Sequence, residues 1–72
     1  MMNAGQKITA MLKEVYEDGE VNAAQIWKGY DVGTGRTGWH VQWFNSTATY
    51  LGKSVAEVRE FVEDEKGLRE AA

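Results

Sequence analysis

Gly38-Trp39-His40-Val41-Gln42-Trp43-Phe44 is the stretch that decides how this chain folds. Trp39, Val41 and Trp43 alternate with His40 and Gln42, the period of a strand with one buried side. Two indoles on one side of a short strand make that side the natural floor of a core. The rest of the chain is expected to pack onto it or pair beside it.

Immediately upstream, Gly33-Thr34-Gly35-Arg36-Thr37-Gly38 has the form G-x-G-x-x-G. A dinucleotide fingerprint needs a strand before that run and a helix after it. Here a strand follows, so the run reads as a hairpin loop with Arg36 at its tip. The strand entering the loop spans Gln25 to Val32 and carries Ile26, Trp27, Tyr30 and Val32. Lys28 shares a face with Ile26 and Tyr30, and a bulge at Gly29 would bring Trp27 and Tyr30 to one side. Downstream, Asn45-Ser46-Thr47 is turn chemistry. Ala48 to Leu51 then forms a third strand, Thr49 and Tyr50 having good strand propensity.

Helical patterns flank the strands. Ile8, Met11, Leu12, Val15 and Tyr16 form one stripe at helical spacing. They predict a helix from Gln6 to Asp18 that Gly19 ends in the left-handed conformation. Residues 1–5 are expected to fray, and Glu20 to Ala23 to connect. Ser54-Val55-Ala56-Glu57 is a capping box, followed by a stripe of Val55, Val58, Phe61 and Val62. Gly67 and Leu68 suit a C-terminal stop. The expected fold is α+β: a three-stranded antiparallel sheet with two amphipathic helices, in the order helix-strand-strand-strand-helix. At 72 residues it is a single small domain.

Composition narrows the chemistry. There is no cysteine, hence no disulfide and no thiolate nucleophile or zinc ligand. His40 is the only histidine, so a transition-metal site would need carboxylates for nearly every ligand. A domain this small without such staples relies on tight packing or self-association, and a homo-oligomer is one open outcome. No apolar run approaches the roughly 20 residues of a membrane span. The N-terminal residues lack the basic and apolar regions of a secretory signal. A cytoplasmic protein of bacterial or phage origin is expected.

The net charge of −3 is unevenly spread. Lys7 and Lys13 face Glu14, Glu17, Asp18 and Glu20 in the first segment. Lys28, Arg36 and Lys53 face only Asp31 in the middle. The last segment sets Arg59, Lys66 and Arg69 against six acids. The middle is mildly basic and the ends acidic.

Catalytic constellations are poor. Nucleophilic catalysis would need His40 beside Ser46 or Ser54; Ser54 serves as a cap, and Ser46 has no evident third group. Glu14/Asp18 and Glu60/Asp64 are carboxylate pairs on outer helix faces. Glu63-Asp64-Glu65 lacks the wrapping loop of a calcium site. The chain is therefore read as no enzyme, with no cofactor and no metal. If both helices cover Trp39, Val41 and Trp43, the other face shows a half-exposed His40, Gln42 and parts of Trp27, Tyr50 and Phe44. An open face with aromatics, amides and a few cations suits a macromolecular partner.

The middle strand Trp39–Phe44, then Thr49-Tyr50-Leu51-Gly52, then the helix Ser54–Val62 resemble a group of three-stranded-sheet-plus-helix modules. These are the arm-binding domain of phage integrases, the plant ethylene-response DNA-binding domain and the methyl-CpG-binding domain. The resemblance covers under half the chain. It implies a sheet laid on DNA with the first hairpin loop as a probe, and points to Lys28, Arg36 and Lys53. Those families line the sheet with several arginines, whereas this chain offers three cations and an extra N-terminal helix. The element order is also similar to a double-stranded-RNA-binding domain, without that family's lysine cluster before the last helix. Because phosphate affinity grows with the number of cations engaged, the expected function is a non-enzymatic module binding a protein partner. That partner would offer a basic surface, or be a nucleic-acid-binding protein; whether the acidic helices then act as a nucleic-acid mimic is left open by the residues. Weak DNA or RNA binding through the sheet face and the Gly33–Gly38 loop is the alternative. The expected contact residues are Trp27, Lys28, Arg36, His40, Gln42 and Lys53.

Overall fold

Asn3 starts the first helix. In the computed structural model, which describes residues 1–71, its side chain accepts from the Gln6 amide at 2.9 Å. Gln6 Oε1 in turn accepts from the Asn3 amide at 2.9 Å. This capping box opens α1 (Ala4–Leu12) ahead of the Gln6 start that the apolar stripe predicts. The helix also ends earlier than that stripe implies. The amides of Glu14 and Val15 turn back to the carbonyls of Met11 and Leu12, three residues behind, and tighten the chain out of the α-helix. Val15 and Tyr16 still reach the core from this turn. Gly19 does not terminate α1. It lies inside a second helix, α2 (Asp18–Ala23), where a connector was expected, and this helix buries Val21.

The sheet is antiparallel in the order β1 (Gln25–Asp31), β2 (Arg36–Gln42), β3 (Ala48–Gly52). The chain is thus α+β with the order helix-strand-strand-strand-helix, α2 being an addition before the sheet. Ile26 faces Val41 and Trp27 faces His40 across β1–β2. Gly29 pairs in regular register with Gly38, so the bulge expected at Gly29 is absent, and Trp27 and Tyr30 point to opposite faces. The irregularity lies instead on the other side of β2, between Trp39 and His40, where β3 pairs. Two close approaches of main chain shape that region. A Cβ on Gly38 (φ 151°) would sit 2.6 Å from the Gly52 carbonyl oxygen. A Cβ on Gly52 (φ 154°) would sit 2.6 Å from Glu57 Cβ.

Every helix packs on one face of the sheet. Ile8, Met11 and Leu12 of α1, Val21 of α2, and Val58 and Val62 of α3 (Val55–Ala71) close on Val41 and Leu51. Ile26, Trp39, Trp43 and Phe61 flank this centre half-buried. The inner face is the one that the alternation of Trp39, Val41 and Trp43 marks. The indoles nevertheless lie at its rim, and Trp43 packs against Tyr16 with ring centroids 4.6 Å apart and planes tilted by 53°.

Ser54 caps α3 by accepting from the Glu57 amide at 3.3 Å. The return bond of the box is shifted by a residue, since Glu57 Oε1 accepts from the Lys53 amide at 3.2 Å and not from Ser54. The stop expected at Gly67 does not occur: α3 runs through it to Ala71, with Leu68 exposed. Along α3, Arg59 and Lys66 both bond Glu14, which ties the helix to the turn after α1.

Candidate partner-binding face

The face away from the helices is built from alternate residues of all three strands. Trp27 of β1 stacks on the His40 imidazole, centroids 5.3 Å apart and planes 10° from parallel. His40 meets the Tyr50 ring of β3 edge-on at 5.4 Å. The Arg36 guanidinium lies over the other side of this row, 5.1 Å from the Tyr50 centroid. The four side chains form one continuous row across the sheet, joined by stacking and cation–π contacts.

His40 is the centre of the row and is fully buried. This corrects the expectation of a half-exposed strand histidine. Its cross-strand neighbours Trp27 and Tyr50 cover the two sides of the ring, and the hairpin loop covers its end. Nδ1 lies 3.0 Å from the Gly38 carbonyl oxygen. A carbonyl only accepts, so Nδ1 carries the hydrogen, and in the neutral ring Nε2 accepts from the Thr34 hydroxyl at 2.8 Å. Both ring nitrogens are therefore occupied by structural bonds. Ser46, the serine weighed as a nucleophile, belongs to the turn beyond the far end of β2, where its carbonyl accepts from Gln42 Nε2 at 3.0 Å. Among the described residues no three of His, Cys, Asp and Glu converge on a point that would hold a cation.

The loop is organised from Asp31. Its Oδ2 accepts from the Thr34 amide at 2.9 Å and its carbonyl accepts from the Gly35 amide at 2.8 Å. That closes the turn over Val32–Gly35 and brings Arg36 into β2 as its first residue, opposite Asp31. Arg36 is thus not at a loop tip. Lys53, just past β3, joins Gly35, Arg36, Thr37 and Tyr50 around an open depression of about 320 Å³.

Of the six expected contact residues, Trp27, Arg36, His40 and Gln42 share this face, and Lys53 borders it. Gln42 sits at the opposite end from Arg36, beside a smaller hollow of about 190 Å³ shared with Gln25, Trp43 and the exposed Phe44. Lys28 does not join them: it pairs with Trp39 and so lies on the helix side of the sheet. Two contributors escape the sequence reading. Tyr50 is recognisable only as an aromatic on the open face, yet it links His40 to Arg36. Thr34 carries no signal beyond being a hydroxyl between two glycines. A comparison with protein-family models, curated proteins and solved structures returns no match for the chain. Among the described residues, no helix is long and apolar enough to cross a membrane.

Proposed function

We propose that this chain is a non-enzymatic binding module whose helix-free sheet face docks a protein partner. The observation that carries the reading is the preassembled row Trp27–His40–Tyr50–Arg36. Tryptophan, tyrosine and arginine are the side chains that dominate binding energy at protein interfaces. Here their rotamers are held by one another and by the buried imidazole before any partner arrives, so little side-chain freedom is lost on docking. The absence of cysteine and the acidic composition suit a cytoplasmic setting.

Nucleic-acid binding is the second reading, favoured by Arg36 and Lys53 sharing one depression. Two convergent cations with Lys28 on the far face are few for a phosphate backbone, whose affinity scales with the contacts made. The two readings separate in one experiment. Tagged protein and its Trp27→Ala and Arg36→Ala variants are used to capture a partner from native extract, and the same proteins are titrated with duplex DNA at about 150 mM salt. The expected result is one specific protein, held by the parent and lost by both variants. DNA should bind no tighter than the non-specific range of roughly 10–100 µM. A sub-micromolar DNA complex that weakens steeply with salt and vanishes in Arg36→Ala overturns the protein reading.

A further inference from the structure

Arg36 and Lys53 are cations whose head groups have no acid. Among the described residues, the ion pairs within 4.0 Å join Arg59 and Lys66 to Glu14 and Glu63. Neither Arg36 nor Lys53 takes part, although each has a carboxylate nearby. Asp31 is the cross-strand partner of Arg36, but its Oδ2 is engaged by the Thr34 amide inside the turn. Glu57 is engaged by the main-chain amide of Lys53. One oxygen of each local acid is thus directed to a backbone donor instead of a cation, and Arg36 and Lys53 both line the 320 Å³ depression without an ion pair.

The orientation of Arg36 adds a second condition. A cation–π contact anchors a guanidinium at a ring while leaving N–H donors free to bond elsewhere. With Tyr50 beneath it at 5.1 Å, Arg36 is therefore positioned without being consumed. Tyr50 is itself propped by the buried His40, so the platform is rigid. A guanidinium fork near an ammonium group fits a planar, two-oxygen anion.

We infer that this depression is a carboxylate seat, taking an Asp or Glu side chain from an acidic segment of the protein partner. The inference rests on the proposed protein-binding role of the sheet face and names the chemistry of the segment that role requires. It also reverses the charge expected of the partner, which composition alone would make basic. The chain's own acidity does not oppose it. Most of that acidity lies in residues 1–20 and 54–72, the helical segments behind the sheet. The molecule is 22 Å across in its smallest principal extent. Where the path between those acids and the depression runs round the molecule through solvent, a Debye length of about 8 Å at physiological salt weakens their effect. A single acidic side chain also needs only the two cations present, where a duplex would need more.

The test uses the full chain, isotope-labelled for amide and arginine side-chain NMR, at about 150 mM salt. One probe is an acetylated, amidated Gly-Asp-Glu-Asp-Glu-Gly peptide; its control has Asn and Gln in place of Asp and Glu. Inorganic phosphate and a short DNA duplex are titrated in parallel. The acidic peptide is expected to move the Arg36 Nε–H and the amides of Thr37, Tyr50 and Lys53 saturably, and the amide control is not. Arg36→Gln and Lys53→Gln should each weaken that binding about tenfold, the loss of one charge-assisted hydrogen bond. Both side chains are exposed, so the fold survives either change. No saturable shift, shifts centred on Lys7 and Lys13 of the α1 region, or an inert peptide where phosphate or duplex moves the same residues would each overturn the seat. The two proposals fail differently. Partner capture lost in Trp27→Ala but kept in both Gln variants removes the seat and leaves the face. Capture kept in Trp27→Ala as well removes the face itself.

Discussion

Glu14 takes both terminal nitrogens of Arg59, Oε1 from Nη1 and Oε2 from Nη2, each at 3.0 Å. Lys66 bonds the same carboxylate, and Glu63 bonds Arg59 from one turn along α3. The hydrogen bonds of Arg59, then of Lys66, hold the Glu14 carboxyl down at about 2, below its ordinary 4.5. A carboxyl depressed in the folded state stabilises it above the unfolded value, and that contribution is lost as pH falls through the folded value. Glu14→Gln should therefore melt below the parent at pH 7 and at pH 5. The gap should close as pH approaches 2. Because Arg59 and Glu14 are 42% and 36% exposed, added salt should narrow it as well. Melting curves at these pH values in low and high salt check this, and equal melting temperatures at pH 7 in low salt would show that the clamp is idle.

Thr34→Val should destabilise the domain by about 1–3 kcal/mol, because it leaves Nε2 of a fully buried imidazole without a donor. Thr34→Ser keeps the hydroxyl and should stay close to the parent. Urea midpoints at constant slope compare the three proteins. If Val and Ser behave alike, the Thr34 hydroxyl is not what satisfies His40.

Gly67→Ala should stabilise by about 0.5–1 kcal/mol. Gly67 lies inside α3 with ordinary helical backbone and nothing within 4 Å of an added Cβ. Were it instead the left-handed stop that its sequence context suggests, alanine would destabilise. The sign of the change in melting temperature decides.

Leu12→Ala should cost more than Trp43→Ala, although tryptophan is the larger side chain. Leu12 is fully buried between α1 and the core, and its loss should cost about 2–5 kcal/mol. Trp43 is half-buried at the rim, and about 2 kcal/mol, roughly half the figure for a buried tryptophan, is expected. Denaturant titrations of both variants rank them.

What could be read from the chain beforehand divides along physical lines. The inner face of β2 and the start of α3 were legible because alternation and an N-cap are local signals, as at Val41 and Ser54. The end of α1 was not. The amides of Val15 and Tyr16 both bond the Leu12 carbonyl and keep these residues turned to the core, so the apolar stripe continues past the helix that began it. Arg36 and Thr37 look like loop because they are polar, but they join β2 through main-chain pairing with Asp31 and Tyr30, which side-chain polarity does not report. The burial of His40 depends on which residues stand opposite it. That in turn depends on the length of the Val32–Gly35 turn and on the irregularity beside Trp39. The same register brings Arg36 next to Lys53, a neighbourhood no spacing in the sequence announces.

Gly38 and Gly52 stand where β2, β3 and the first turn of α3 touch through bare backbone. Surface charges such as Lys28 or Glu60 can drift over generations without disturbing the fold. These two positions have no such latitude, since any larger residue would push strand from strand or sheet from helix. Descendants of a common ancestor should therefore keep this glycine pair long after their binding surfaces have diverged, and its spacing around a Trp-x-Val core is the fingerprint by which distant kin of this chain can be found.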